Sequence, residues 1–312
     1  MELKPRHLLG IEGLEAGEIL HLLDRAAAFK AGHGHGSLRG LVVVNLFFEA
    51  STRTRVSFEI AARRLGADPV NWTAAGSSVS KGETLFDTVR NIDAMRPAAV
   101  VIRHAAAGAA LAVSRRVRCS VVNAGDGAHE HPSQALLDAF TLRAALGSLE
   151  RKVVAIVGDI AHSRVARSNA FCLGTLGATV RLCGPPSLLP PGLERLGPRV
   201  EIHPRLESAL EGADAVMMLR IQLERQAGGH DPRLPSRREY ARLYGLGPRA
   251  AATLKPAALV LHPGPINRGV ELASAVADGP RSVILDQVEN GVFVRMAILH
   301  ELLHERRAEG AA

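Results

Sequence analysis

A group of hydroxyl and guanidinium side chains follows one of the most apolar stretches of the chain. The stretch is Leu41–Phe47, and the group is Ser51-Thr52-Arg53-Thr54-Arg55, at the start of a helical pattern over Arg53–Leu65. An N-cap needs only one hydroxyl, and two basic residues in a first turn oppose the helix dipole. A bound anion resolves that conflict, because backbone N–H groups and guanidiniums at a helix start can hold phosphate. We therefore predict a phosphate site here, against the plainer alternative of a capped helix with solvated arginines.

Further polar side chains follow other predicted strands of the N-terminal half. Arg103 comes directly after Ala98–Ile102, and His131 and Gln134 stand three residues apart at the start of a helix that begins with Pro132. Residues three apart on a helix are neighbours, so both side chains can point at one ligand. Taken singly, each residue is equally explained as a helix cap or a solvated strand end.

The C-terminal half repeats this arrangement. Arg164 follows one predicted strand, Arg220 and Gln222 follow a second, and Pro263-Gly264-Pro265 follows a third. The two prolines fix an unusual backbone whose carbonyls could face a ligand, although a simple tight turn gives the same pattern. The first strand of this half is not followed by the glycines of a dinucleotide-binding G-x-G-x-x-G turn, so a dehydrogenase is disfavoured.

Three polar stretches have no helix or strand pattern. Ser77 and Lys81 lie in a Gly- and Ser-rich segment whose composition alone is typical of a surface loop, and a helical pattern over Lys81–Met95 begins at its end. Arg220–Arg238 is long, polar and Gly-rich, which predicts a mobile loop. His33 and His35 lie in a third, Gly-rich stretch, and we expect them to be solvated rather than metal ligands.

The order of the elements predicts the fold. Apolar strands alternate with helices along the chain, a pattern typical of parallel α/β sheets. We predict two doubly wound parallel-sheet domains: residues 1–147, completed by a C-terminal helix over 289–307, and residues 148–288. Ligands of such sheets bind beyond the carboxyl ends of the strands, so we expect the active site in the interdomain cleft.

The composition excludes several other classes of protein. Of the 312 residues, 47% are hydrophobic and 22% charged, which excludes a disordered chain. The net charge is +7, but only 4% of residues are aromatic and the arginines are scattered, which disfavours a nucleic-acid binder and suits small anionic substrates. No apolar run of membrane-spanning length and no signal peptide are evident. The three cysteines form no close pair, so we expect a cytoplasmic protein without a thiolate metal site.

The groups at the predicted strand ends are rich in cations and poor in nucleophiles. No Ser-His-Asp arrangement, H-E-x-x-H motif or P-loop is evident in the sequence. We therefore expect a site that binds two anionic substrates and stabilises developing charge. The alternatives from a different class are a non-enzymatic anion-binding module and a basic nucleic-acid binder.

Five motifs together resemble the carbamoyltransferase family and, within it, the members that use L-aspartate. They follow the family order over nearly the whole chain: Ser51-Thr52-Arg53-Thr54-Arg55, Lys81-Gly82-Glu83-Thr84, His131-Pro132-Ser133-Gln134, Arg220-Ile221-Gln222 and His262-Pro263-Gly264-Pro265. The resemblance implies transfer of the carbamoyl group of carbamoyl phosphate to the amine of L-aspartate. The products would be N-carbamoyl-L-aspartate and phosphate, in de novo pyrimidine (UMP) biosynthesis.

The resemblance also implies a role for each residue. Carbamoyl phosphate would be bound by Ser51, Thr52, Arg53, Thr54, Ser77, Arg103, His131, Gln134 and the backbone of Pro263, Gly264 and Pro265. L-Aspartate would be bound by Lys81, Arg164, Arg220 and Gln222. The catalytic residues would be Arg53, Thr54, Lys81, Arg103 and His131. Among them, Thr54, Arg103 and His131 would stabilise an oxyanion and Arg53 the leaving phosphate.

Assembly and acceptor choice follow from the same resemblance. It implies no metal or organic cofactor, and a homotrimer in which Ser77 and Lys81 reach the site of a neighbouring subunit. Larger assemblies with regulatory chains or a dihydroorotase also occur in the family. Ornithine-using relatives typically carry His-Cys-Leu-Pro at His262–Pro265 and lack a counterpart of Lys81, and a pocket with Lys81 and arginines would repel ornithine's ammonium. Ornithine or another acceptor is the alternative.

Overall fold

The structure, a computed structural model, describes residues 6–73, 82–221 and 236–310. The chain divides into two compact units. The first contains the chain up to Phe140 and again from Val288 onward, and the second is Thr141–Gln287. None of the helices in the described ranges is both long and apolar enough to cross a membrane.

The first unit is built on a four-stranded parallel sheet. Its strands are β1 Val42–Phe47, β2 Asp68–Thr73, β3 Ala99–His104 and β4 Ser120–Asp126, in the spatial order β2-β1-β3-β4. The helices of this part of the chain are α1 Ala16–Lys30, α2 Thr52–Arg64, α3 Leu85–Ala94, α4 Ala109–Ser114 and α5 Pro132–Leu146. Every residue of β4 is buried, as expected of a strand that is covered on both faces.

The second unit has a five-stranded parallel sheet. Its strands are β5 Val153–Val157, β6 Thr179–Cys183, β7 Val200–His203, β8 Ala215–Met218 and β9 Leu259–Leu261, in the order β7-β6-β5-β8-β9. The remaining helices are α6 Arg164–Thr175, α7 Leu206–Leu210, α8 Arg237–Tyr244, α9 Pro248–Ala251, α10 Ser274–Ala277 and α11 Ile284–Gly310. Val157, Val216, Met218 and Tyr240 belong to one buried apolar cluster of this unit.

The strand order reverses once in each sheet. The chain continues from β1 to β2 on one side and then returns to β3 on the other, and β5 has β6 and β8 on its two sides in the same way. With right-handed crossovers, this order places the connecting helices on opposite faces of a sheet. The predicted doubly wound parallel α/β class is confirmed. The carboxyl ends of β1 with β3, and of β5 with β8, are the switch points at which such sheets bind ligands.

Two predicted boundaries in the first unit are wrong, for local reasons. The helix predicted to start at Lys81 begins at Leu85, because Thr84 is its N-cap and accepts the N–H of Asp87 at 3.2 Å. The strand predicted to end at Ile102 continues to His104, so Arg103 lies within β3 rather than after it. That extension includes a register shift between Ile102 and His104.

Two boundaries differ in the C-terminal half. The loop predicted over Arg220–Arg238 ends before α8, whose N-cap Ser236 accepts the N–H of Glu239 at 3.2 Å. Residues 222–235 of that loop lie outside the described ranges. The C-terminal helix predicted from residue 289 begins at Ile284, one turn earlier.

Candidate active site

The start of α2 is an open cationic helix end. Its first turn contains no acidic residue, and the N-cap Ser51 makes no side-chain capping hydrogen bond. The first N–H groups of a helix have no partner within the helix, so this end presents backbone donors that the Ser51 side chain does not cap. Arg53 is exposed, whereas Thr54 is buried and its carbonyl accepts the Ser57 hydroxyl at 2.9 Å.

Arg103 is brought beside this helix start by the sheet. It pairs with Phe47 in the β1–β3 register, and its carbonyl accepts the N–H of Phe48 at 2.9 Å. Its guanidinium is held from two sides: Nη1 donates to the Ala124 carbonyl at 3.1 Å, and Nε lies 3.5 Å from Glu49 Oε2. Topology therefore places Arg103 and the α2 N-terminus at one switch point, as the sequence predicts for residues that follow neighbouring parallel strands.

The turn between β4 and α5 is organised by Asp126. This buried carboxylate accepts the N–H of Gly108 at 2.7 Å, the N–H of Glu130 at 3.1 Å and the side-chain amide of Asn123 at 2.8 Å. Glu130 is in turn anchored, because its carboxylate accepts the N–H of Ile11 at 2.8 Å. These bonds fix the backbone that enters α5.

His131 and Gln134 occupy the start of α5, as predicted. Both are buried, and the Gln134 N–H donates to the His131 carbonyl at 3.0 Å. The Gln134 side-chain Nε2 donates to Asp138 Oδ1 at 2.9 Å, which leaves its amide oxygen oriented by that bond. β4 lies next to β3, so Arg103 near the end of β3 and the α5 start after β4 belong to adjacent strands of one sheet.

The second unit presents arginines at its own switch point. Arg164 is the first residue of α6 and is buried, and its neighbour Ser163 caps the helix by accepting the Ala166 N–H at 3.1 Å. Arg220 follows β8, on the other side of the switch. The two strand ends approach closely, because a Cβ on Gly158 would lie 2.7 Å from Leu219 Cβ.

The Pro263-Gly264-Pro265 turn follows β9, beside β8. Its Gly264 has φ 69°, a left-handed conformation that suits glycine, and the Gly264–Pro265 peptide is cis. The turn therefore has the unusual backbone predicted from its prolines. Three other predicted residues, Ser77, Lys81 and Gln222, lie outside the described ranges.

Titratable groups near these sites include no candidate thiol nucleophile. All three cysteines are buried, and burial raises the pKa of the Cys183 thiol to about 12. Burial also lowers the pKa of His104, and the nearby carboxylate of Glu49 offsets part of this decrease. A neutral His104 accepts the N–H of Ala106 at 2.9 Å and so helps to hold the backbone that connects β3 to α4.

Glu12, His129 and Glu130 form a group with the residue types of a metal site. One ligand atom from each lies within 4.8 Å of the others. However, the two carboxylate oxygens of Glu130 accept the N–H groups of Ile11 and Glu12, and His129 Nδ1 lies 3.1 Å from Asp126. Hydrogen bonding within the chain accounts for this arrangement.

Sequence reasoning missed the acidic residues that hold the cationic and amide groups in place. Glu49 faces Arg103, Asp126 fixes the turn before α5, and Asp138 orients Gln134. Of these three, only Asp138 could have been found from the sequence, since Gln134 and Asp138 are four apart on a helix and are therefore neighbours. The others act across the sheet, where sequence spacing carries no information.

The fold and these strand ends define a class: a two-unit parallel α/β protein that carries arginine side chains at the switch point of each sheet. Comparison with known proteins narrows that class. Residues 6–144 match the family described as "Aspartate/ornithine carbamoyltransferase, carbamoyl-P binding domain", and residues 150–302 match its "Asp/Orn binding domain". The chain belongs to the aspartate/ornithine carbamoyltransferase family.

Individual relatives cover almost the whole chain. The aspartate carbamoyltransferase catalytic subunit of Myxococcus xanthus is 62% identical over 296 residues, which are 94% of this chain and 98% of the relative. The aspartate transcarbamoylase of Trypanosoma cruzi, solved in complex with carbamoyl aspartate and phosphate, has a TM-score of 0.85 at 32% identity, with 95% of both chains covered. The ornithine carbamoyltransferase of Pyrococcus furiosus has a TM-score of 0.87 at 27% identity, with 97% and 98% covered.

Proposed function

We propose that this chain is an aspartate carbamoyltransferase, which transfers the carbamoyl group of carbamoyl phosphate to the amine of L-aspartate. The observation that carries this proposal is the 62% identity, over nearly the full length of both chains, to a catalytic subunit of that name. Backbone similarity does not choose the acceptor, because ornithine and aspartate enzymes have TM-scores of 0.87 and 0.85 to this chain. The identity of the carbamoyl acceptor therefore depends on the side chains that line the acceptor site.

The first unit supplies the groups for carbamoyl phosphate in this proposal. Ser51, Thr52, Arg53 and Thr54 bind the phosphate at the N-terminus of α2, with Ser77 added from its loop. The open helix end, with no acidic residue in its first turn, supports this role. Arg103, His131 and Gln134 contact the carbamoyl group.

The second unit supplies the groups for L-aspartate. Arg164 and Arg220, which follow the two strands of its switch point, bind the two carboxylates together with Gln222 and Lys81. Guanidinium forks match carboxylates in geometry and charge. The same cations disfavour ornithine, whose side-chain ammonium they would repel, and the ornithine reaction is the alternative that the assay below must exclude. The backbone of Pro263, Gly264 and Pro265 holds the carbamoyl amide.

The reaction proceeds by direct attack. The amine of aspartate forms a bond to the carbamoyl carbon, the resulting tetrahedral oxyanion collapses, and the C–O bond to phosphate breaks as the departing phosphate takes up the proton that the amine loses. Thr54, Arg103 and His131 stabilise the oxyanion. Arg53 stabilises the charge on the departing phosphate, and Lys81 stabilises the charge on the incoming dicarboxylate. Catalysis rests on positioning and preorganised charge, with no covalent enzyme intermediate.

The proposal extends to assembly and pathway. Residues 1–147 with the C-terminal helix form the carbamoyl phosphate domain, and residues 148–288 the aspartate domain. The active form is a cytoplasmic homotrimer whose sites are completed by Ser77 and Lys81 of a neighbouring subunit, and it serves de novo pyrimidine (UMP) biosynthesis. Regulatory chains or a dihydroorotase are the candidate partners of a larger assembly.

Phosphate release measured with carbamoyl phosphate and either L-aspartate or L-ornithine tests the proposal. We expect turnover with aspartate and none above background with ornithine. Turnover with ornithine alone would refute the acceptor assignment, and no turnover with either would refute the transferase activity of the isolated chain.

A further inference from the structure

A buried histidine–glutamate pair holds the turn after β9. The side chains of His262 and Glu271 are both fully inaccessible to solvent, and His262 Nε2 lies 3.3 Å from Glu271 Oε1. The other ring nitrogen, Nδ1, accepts the N–H of Gly264 at 2.8 Å. The backbone N–H of His262 donates to the Gln287 side-chain oxygen at 3.0 Å.

This pattern of bonds defines the tautomer of His262. An imidazole nitrogen that accepts a backbone N–H carries no proton, so Nδ1 is the acceptor and Nε2 carries the proton of the neutral ring. Glu271 Oε1 then accepts from Nε2, and the same oxygen accepts the N–H of Asn267. Glu271 therefore holds the ring in the one orientation that lets Nδ1 fix the Gly264 amide.

Keeping this carboxylate buried is costly. Its second oxygen, Oε2, has no hydrogen-bond partner among the described residues, and neither does the nearby hydroxyl of Tyr240, whose pKa is raised by burial and by the charge of Glu271. A buried polar atom without a partner is unfavourable in general.

We propose that His262 and Glu271 are positioning residues for the carbamoyl group. The ring fixes the Gly264 N–H, which sets the direction of the Pro263 carbonyl in the same peptide plane, and Glu271 fixes the ring. This inference rests on the proposed function, in which that turn holds the amide nitrogen of carbamoyl phosphate. Neither residue touches the substrate.

Two substitutions of His262 separate the two nitrogens. The amide oxygen of His262→Asn can stand where Nδ1 stands and still accept the Gly264 N–H, whereas the longer His262→Gln places its amide at the Nε2 position and leaves Gly264 without an acceptor. We expect His262→Asn to retain most activity and His262→Gln to lower kcat by about 100-fold, the usual effect of a misplaced binding group.

Two substitutions of Glu271 test whether its acceptor oxygen is needed. Glu271→Gln keeps an oxygen that accepts from His262 and Asn267, and Glu271→Leu removes it. The expected order is wild type, then Glu271→Gln, with Glu271→Leu losing about as much kcat as His262→Gln. The matched control is Tyr244→Phe, which removes the hydrogen bond from the tyrosine hydroxyl to the Pro204 carbonyl at 2.9 Å in the same unit. It should lower thermal stability and leave both substrate affinities unchanged.

Binding measurements provide a readout that mere destabilisation would not move. Calorimetric titration with carbamoyl phosphate and, separately, with inorganic phosphate compares two ligands that differ by the carbamoyl group. His262→Gln should weaken carbamoyl phosphate binding by about tenfold, the value of one lost hydrogen bond, and leave phosphate affinity unchanged.

Equal weakening of both ligands, or equal activity of His262→Asn and His262→Gln in folded protein, would overturn the positioning role. Failure of the proposed function looks different. In that case the wild-type chain itself would bind carbamoyl phosphate no more tightly than phosphate.

Discussion

Arg103 Nε lies 3.5 Å from Glu49 Oε2, while Arg103 Nη1 donates to the Ala124 carbonyl at 3.1 Å. The arginine at the end of β3 is thereby tied to the loop after β1 and to the end of β4, across the switch point of the sheet. Its guanidinium is held before any substrate arrives, which is the condition for preorganised electrostatic stabilisation.

Replacing Arg103 by Lys should therefore disable the site although the charge is kept. An ammonium cannot reproduce a planar fork that bonds a carbonyl and faces a carboxylate at once. We expect kcat to fall by about 100-fold, with an unchanged far-ultraviolet circular dichroism spectrum, measured alongside steady-state kinetics. A lysine variant with wild-type kcat would show that charge alone suffices there.

Arg53→Ala tests the phosphate role of the α2 N-terminus. The loss of a charge-stabilising donor should cost about 3 kcal/mol in kcat/KM, more than 100-fold. Arg63→Ala is the matched control, because Arg63 lies on the same helix but is exposed and paired with Glu59 at 3.1 Å. Similar kinetics of the two variants would remove Arg53 from the mechanism.

The sequence was sufficient for the strands and for the basic groups at their ends. β5 and β6 coincide with short, largely apolar runs between turn residues, the pattern that buried parallel strands produce. The start of α5 also agrees with the prediction, since Pro132 fixes it. The ends that differ depend on hydrogen bonds that sequence patterns do not show, such as the Thr84 cap that delays α3.

The carboxylates behind the site could not be predicted. Glu49, Asp126 and Glu271 each act on residues brought close by sheet pairing or by a turn, and a lone acidic residue in a loop is typical of any surface. The predicted functional residues are those that would contact ligands, because the chemistry of such a residue can be inferred from its amino-acid type. The residues that hold them became evident once the backbone was known.

Arg164→Leu tests the aspartate side. Removing one charge-assisted contact to a carboxylate should raise the KM for L-aspartate by about 10- to 100-fold. The affinity for carbamoyl phosphate, measured by calorimetry without aspartate, should be unchanged. Arg195→Ala, an exposed arginine of the same unit, serves as the control and should match wild type. An unchanged aspartate KM in Arg164→Leu would exclude Arg164 from the pocket.

The proposed sharing of sites between the subunits of a trimer predicts complementation. Lys81→Ala and Arg53→Ala should each be inactive alone, yet a trimer reassembled from both contains some sites with neither substitution. Mixed and refolded samples should recover a fraction of wild-type turnover, whereas each variant treated alone should recover none. Absence of recovery in a mixture that does form hybrid trimers would place Lys81 in its own subunit's site.

The lowered pKa of the partly buried His300 predicts that the stability of the protein depends on pH for a reason separate from the active site. Burial lowers its pKa from 6.5 to about 4, although the adjacent Glu301 charge opposes that shift. The unfolded state therefore binds more protons between these values, and the free energy of unfolding should fall as the pH drops from about 6.5 to about 4. Urea denaturation of His300→Gln should give a shallower slope in that window. The exposed His33→Gln should keep the wild-type slope.

A competition between two acceptors for the carbamoyl group tests whether L-aspartate is the substrate. The protein is given limiting carbamoyl phosphate with equal concentrations of L-aspartate and L-ornithine, and the carbamoylated products are quantified by mass spectrometry. The arginines at the switch point of the second unit predict N-carbamoyl-L-aspartate, formed in step with phosphate and more than 100-fold more slowly by the Arg53→Ala variant. Citrulline as the main product would contradict the account, because it would mean that the pocket accepts an ammonium where we place a carboxylate.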